Sequence, residues 1–284
     1  MLPYIWLSLA IGSLWLPPQP SVGPLPLRHA VSVAWLIVAV THAYATGRVA
    51  ALGVLAILAF ALLCYRDGRE RLAITTIAVV VFSLALMAHI VPGFANLLVV
   101  RDVMLSPDAV PYTLYLNFDK AQVGLLLLAF GPPVFARADC GAMLRATLPG
   151  VLVLIAALMA CALLIGQIRV DFKWPAIFPV WAWSNLLFTC VGEEALFRGL
   201  IQRRLQGELA VQASGREIAG LVMAAVVFGL AHYAGGVWSI VLATIAGVGY
   251  GWIFWRTNRI EASILTHFLV NTTHILCFTY PARA

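Results

Sequence analysis

Charge is what this sequence has least of. Of its 284 residues, 11% are Asp, Glu, Lys or Arg, against roughly 25% in a soluble domain, and 62% are apolar. That balance excludes a water-soluble globule. Cysteine is sparse as well: Cys64, Cys140, Cys161, Cys190 and Cys277 form no C-x-x-C pair, and most lie inside apolar runs. They read as packing residues, which leaves no support for a disulfide framework or a thiolate metal site. Lysine is nearly missing, since the 18 cations are 16 Arg and two Lys, set against 12 acids. In so apolar a chain the resulting charge of +6 reflects membrane topology and gives no argument for a nucleic-acid partner. No repeat, low-complexity tract or hydrophilic domain is present, so function has to reside within helices or short loops.

What is there is a series of nine stretches without a charged residue: 1–27, 29–47, 49–65, 72–100, 121–136, 146–168, 174–192, 218–255 and 262–282. About 20 apolar residues cross a bilayer as helix, so each stretch is a candidate span. At 1.5 Å per residue the stretch 218–255 would make a helix about 57 Å long, nearly twice a hydrocarbon core of about 30 Å. It has to turn back, and Gly235-Gly236 is the place for the turn. The expected fold is therefore all-α, a polytopic integral membrane bundle of eight to ten transmembrane helices. The apolar run from Leu2 to Leu16 precedes the first cation, Arg28, and has no small-residue cleavage site; it reads as an anchor rather than a signal peptide. The segment 101–120, with Pro107, Pro111 and Asn117-Phe118-Asp119-Lys120, reads as an extramembrane loop. Counted over ten spans, 11 cations fall on one side and six, Lys120 among them, on the other, which favours the first side as cytoplasmic.

An ionisable group inside a span costs a few kcal/mol unless it is paired or lines a cavity, and three such groups fall in the last 92 residues. The first is Glu193-Glu194-Ala195-Leu196-Phe197-Arg198. Successive helical residues diverge by about 100°, so the two carboxylates point apart. Glu194 can pair with Arg198 four residues on, leaving Glu193 to face another surface. The second group is Phe228-Gly229-Leu230-Ala231-His232, just before the glycine turn. The third is His267-Phe268-Leu269-Val270-Asn271, whose spacing puts imidazole and amide on one helix face. Taken singly, each has a plainer reading as glue between helices. Depth argues for more. Measured from the expected cytoplasmic ends, Glu193, His232, His267 and Asn271 lie about 16, 22, 12 and 18 Å in. A carboxylate, two imidazoles and an amide at one level suit hydrolysis by a water: the carboxylate as general base, an imidazole to orient the water, and donors for a developing oxyanion.

The ordered set E-E-x-x-x-R, F-x-x-x-H and H-x-x-x-N on successive late helices resembles the CPBP family of intramembrane proteases. This is also called the Abi or CAAX-protease family and includes the eukaryotic Ras-converting CAAX prenyl endopeptidase. The resemblance runs from about Lys173 to Tyr280 and takes in Gly199 and Arg256-Thr257-Asn258. It implies Glu193 as catalytic base, His232 as its helper in activating water, and His267 with Asn271 as stabilisers of the tetrahedral intermediate. Glu194 and Arg198 match the family's second Glu and Arg, in orienting or structural roles. A cofactor is not favoured. Even so, a set such as Glu193, His232 and His267 would hold Zn²⁺ with an open position, although H-E-x-x-H is absent.

The expected organisation is a set of N-terminal transmembrane helices over 1–170 and a protease core over 171–284. The expected function is an intramembrane endopeptidase acting on a membrane-presented protein or peptide, with CAAX-type substrates, C-terminal tags and bacteriocins as candidate classes. The lipid bilayer is the other partner and a bacterial cytoplasmic (inner) membrane the expected location. Two rivals belong to other classes. A non-catalytic immunity or scaffold protein would have no need of a buried unpaired Glu193. A proton-coupled transporter would be favoured by inverted repeats, and none is seen. His29, His42, His89 and His274 read as interfacial or hydrogen-bonded in the bundle, and Ala243, Gly247 and Gly251 as a small-residue packing stripe.

Overall fold

A computed structural model describes residues 1–17, 21–22, 25–131, 140–209 and 216–283. Pro132, Pro133 and Arg137, which the sequence places in or beside a span, lie outside these residues. The chain is 74% helical and forms an all-α bundle. Among the described residues, three helices are long and apolar enough to cross a membrane, Ala51–Glu70, Gly141–Leu164 and Tyr233–Thr257, and the shorter apolar helices Leu2–Ser13, Ala73–Met87 and Glu217–Leu230 accompany them. It is a membrane protein.

The first compact unit comprises Met1–Leu98, Tyr115–Arg137 and Leu187–Gly199. Its helices are α1 (Leu2–Ser13), α2 (Leu27–Ala45), α3 (Ala51–Glu70), α4 (Ala73–Met87) and α5 (Phe118–Phe130). A minimal strand pair, β1 (Ser21–Val22) and β2 (Leu25–Pro26), joins α1 to α2. Trp6 stacks on Trp35 at 5.4 Å between those two helices, and Phe60 on Phe82 at 5.3 Å between α3 and α4. The centre of the unit is α5, buried without a break from Ala121 to Leu128. A helix buried on every side is one surrounded by protein, and here the buried residues include the polar Gln122.

The second unit comprises Val99–Leu114, Ala138–Leu186 and Leu200–Ala284. It holds α6 (Cys140–Leu164), α10 (Arg216–Leu230), α11 (Gly236–Thr257) and α12 (Ile260–Cys277). The long uncharged run does turn back where expected, through a 3-10 turn at Tyr233–Gly235, with Gly236 at φ +80°. Gly247 packs against Ala225 so closely that a Cβ would lie 3.1 Å from that residue's Cα; the small-residue stripe serves close helix packing. The segment 101–120 is not simply a loop. It carries β3 (Leu97–Val103) and β4 (Tyr112–Leu116), which form a second two-stranded sheet, and the first turn of α5. Apolar residues at Val100, Leu105, Tyr112 and Leu114 pack with Trp181 and Ile275.

Residues 178–209 form one winding stretch that contributes to both units. In order it is α7 (Phe178–Ser184), a π-helical segment Asn185–Cys190, α8 (Val191–Glu194), a second π segment Ala195–Gln202, and α9 (Arg203–Leu209). Wider i→i+5 turns within α-helices occur most often at functional sites, and here they bracket Glu193 and Glu194.

Candidate active site

The two acids diverge on α8 as their spacing requires. Glu194 Oε2 lies 3.2 Å from Arg198 Nε, and both side chains are 0% exposed. This is the expected i,i+4 pair, and it neutralises two charges that would be costly to bury singly. Glu193 faces elsewhere, but the expectation that it is unpaired does not hold. Its Oε1 lies 2.7 Å from Lys120 Nζ, with side-chain exposures of 10% and 15%. Sequence reading missed Lys120, counting it as a loop cation, whereas it sits in the first turn of α5.

Three observations explain why Lys120 meets Glu193. Asp119, 1% exposed, accepts hydrogen bonds from the Lys120 backbone N–H at 2.8 Å, from Asn96 Nδ2 at 2.9 Å and from His89 Nδ1 at 2.8 Å. Asn96 Oδ1 in turn accepts the Phe118 N–H at 2.9 Å, so two of the orphan donors of this helix start, on Phe118 and Lys120, are satisfied. Along the same helices Gly124 meets Gly192: a Cβ on Gly124 would lie 3.0 Å from Gly192 N. Only at glycine can α5 and α8 approach so closely.

In the second unit, His232 falls just past the end of α10, with its Nδ1 2.8 Å from Phe228 O. A carbonyl only accepts, so Nδ1 is the donor in this contact, and a ring protonated there alone leaves Nε2 as an acceptor. The Phe228 ring sits 4.6 Å from the His232 imidazole and meets the His267 imidazole edge-on at 5.9 Å. Tyr250 stacks on His267, nearly parallel at 4.7 Å. One phenylalanine thus touches both imidazoles, which gives the first position of F-x-x-x-H a physical role. Asn271 Nδ2 donates to Asn185 Oδ1 at 3.3 Å. Tyr250 and Asn185 were also missed, although a polar residue inside the apolar run 174–192 was a signal for Asn185.

Of the expected residues, then, Glu193, Glu194 and Arg198 belong to the first unit and His232, His267 and Asn271 to the second. Within neither unit, among the described residues, do three His, Cys, Asp or Glu gather as a metal ion requires. Each carboxylate of α8 already faces a cation.

Residues 174–273 match the family model of the type II CAAX prenyl endopeptidases, Rce1-like. Over these residues the chain is similar to the CAAX-protease family. The matched segment contains every motif residue from Glu193 to Asn271, and it supports an endopeptidase. No curated protein and no solved structure matched the chain. Lys120 lies outside the matched CAAX-protease segment, on a helix that the family motifs do not describe.

Proposed function

We propose that this CAAX-type protein hydrolyses a peptide bond of a membrane-presented protein or peptide, with Glu193 as general base on a water. The observation that carries the reading is the family match, which spans Glu193, His232, His267 and Asn271 together. Glu193 takes the water's proton as the oxygen attacks the carbonyl carbon. His232, protonated at Nδ1, offers Nε2 to orient that water. His267 and Asn271 donate to the oxyanion, and the proton held by Glu193 passes to the leaving nitrogen as the C–N bond breaks. Glu194 and Arg198 hold the helix. In support of these roles, Glu193 is turned away from the structural pair and the Nδ1 of His232 faces the Phe228 carbonyl.

The partners in this reading are the peptide substrate and the lipid bilayer, with no nucleic acid. The setting is a multi-pass arrangement in a bacterial cytoplasmic membrane, consistent with helical rather than barrel spans. The test is hydrolysis of membrane-presented C-terminal peptides by the purified protein and its E193Q, H232A, H267A and N271A variants. Wild-type turnover by folded E193Q would overturn the assignment and return the scaffold reading.

A further inference from the structure

Lys120 stands outside the matched segment, yet the fold is arranged around placing it. Its backbone is pinned by Asp119, whose carboxylate is held by Asn96 and His89. Its helix is seated against α8 through the Gly124 and Gly192 contact, and its ammonium ends 2.7 Å from Glu193 Oε1. Neutralising the α8 acids for structural reasons needs only one such pair for Glu194, and Arg198 supplies it. The second cation is aimed at the one acid to which the hydrolysis assigns a proton transfer. A charge-assisted contact this short also fixes the direction of the carboxylate.

From this geometry we propose that Lys120 is a positioning residue for the hydrolysis, holding Glu193 as an oriented carboxylate and balancing the charge of the reacting groups. The proposal rests on the reading of Glu193 as general base. In the resting site one ammonium faces one carboxylate. When Glu193 accepts the water's proton it becomes neutral, the new C–O bond forms, and the carbonyl electron pair moves to oxygen. The negative charge has then passed from Glu193 to the oxyanion, while Lys120 keeps all its protons. Net charge is zero before and after the step, so no uncompensated charge arises in a low-dielectric setting. When the C–N bond breaks, the proton leaves Glu193 for the amine and the starting pair is restored. Lys120 therefore acts through Glu193.

The experiment uses the full chain in detergent or liposomes, with wild type, K120M, K120Q and K120R each compared with its own Glu193→Gln counterpart. Infrared difference spectra read the state of Glu193. The expected result is a carboxylate signature in wild type and K120R, replaced in K120M and K120Q by a protonated-carboxyl band that vanishes on Glu193→Gln. Alongside it, kcat of K120M falls by roughly 10- to 100-fold while KM stays within about twofold, and K120R recovers most of the loss. A K120M spectrum with the wild-type carboxylate, or K120M turnover within about twofold of wild type, overturns the proposal. If K120M does not fold, K120Q against K120R decides on the same readouts. E193Q turning over like wild type would remove the base role and leave the pairing to the spectra, so the two failures are distinguishable.

Discussion

A Cβ placed on Gly124 would lie 3.0 Å from the backbone nitrogen of Gly192 and 2.9 Å from Val191 Cγ1. This glycine-to-glycine contact lies one helical turn from Lys120 and one residue from Glu193. The backbone side of the contact cannot give way cheaply. Gly124→Val is therefore expected to lower stability by about 1–3 kcal/mol through overpacking and to reduce turnover by parting Lys120 from Glu193. Thermal unfolding in detergent, read beside activity, checks both; wild-type behaviour in both would mean that the close approach is incidental.

Glu194 and Arg198 form a fully buried pair, and removing one partner of such a pair costs about 3–5 kcal/mol because the other charge is left uncompensated. Glu194→Gln should lose activity largely in proportion to lost folded protein, whereas Glu193→Gln should stay folded and lose kcat. Comparing specific activity per folded molecule separates them. A well-folded, inactive Glu194→Gln beside an active Glu193→Gln would exchange the two roles.

His232 should exist as the Nδ1-protonated tautomer, because its Nδ1 faces the Phe228 carbonyl. Selective ¹⁵N labelling of histidine reads this directly, with His232→Gln identifying the signal. A resonance pattern with the proton on Nε2 would contradict the water-orienting role. By the same reasoning His232→Ala should lower kcat by roughly 100-fold or more.

Outside the spans, Asp171 is held below the ordinary carboxylate range, first by a hydrogen bond from Ser106 and then by Lys173, whose Nζ is 2.9 Å away. A depressed folded value means stability that is present above the unfolded Asp range, about 3.9, and lost as pH falls through the folded value. The segment 165–174 should thus loosen only in acid. Hydrogen exchange or limited proteolysis of that segment against pH should show the acid-side loss in wild type and its absence in Asp171→Asn.

Metal removal should leave turnover intact. Both carboxylates of α8 face cations, Lys120 and Arg198, so Zn²⁺ would have to displace an ammonium from Glu193. Chelation and exhaustive dialysis, with metal content measured alongside, test this. Loss of activity restored by stoichiometric Zn²⁺ would establish metal chemistry instead.

Much was legible in the sequence because it depends on local rules. Charge-free stretches exposed the membrane class, the excess length of 218–255 demanded the turn found at Tyr233–Gly235, and helical periodicity dictated that Glu193 and Glu194 diverge and that Glu194 meets Arg198. Nothing local could show the partner of Glu193. Lys120 is 73 residues away, on a stretch whose sequence looked like a loop edge, and only the packing of Gly124 against Gly192 decides that the two helices touch there. Phe228 between two imidazoles, Tyr250 on His267 and Asn185 on Asn271 are of the same kind. Period and hydropathy state which face of a helix is apolar or polar, while the neighbour that meets that face is set by how closely backbones approach in three dimensions.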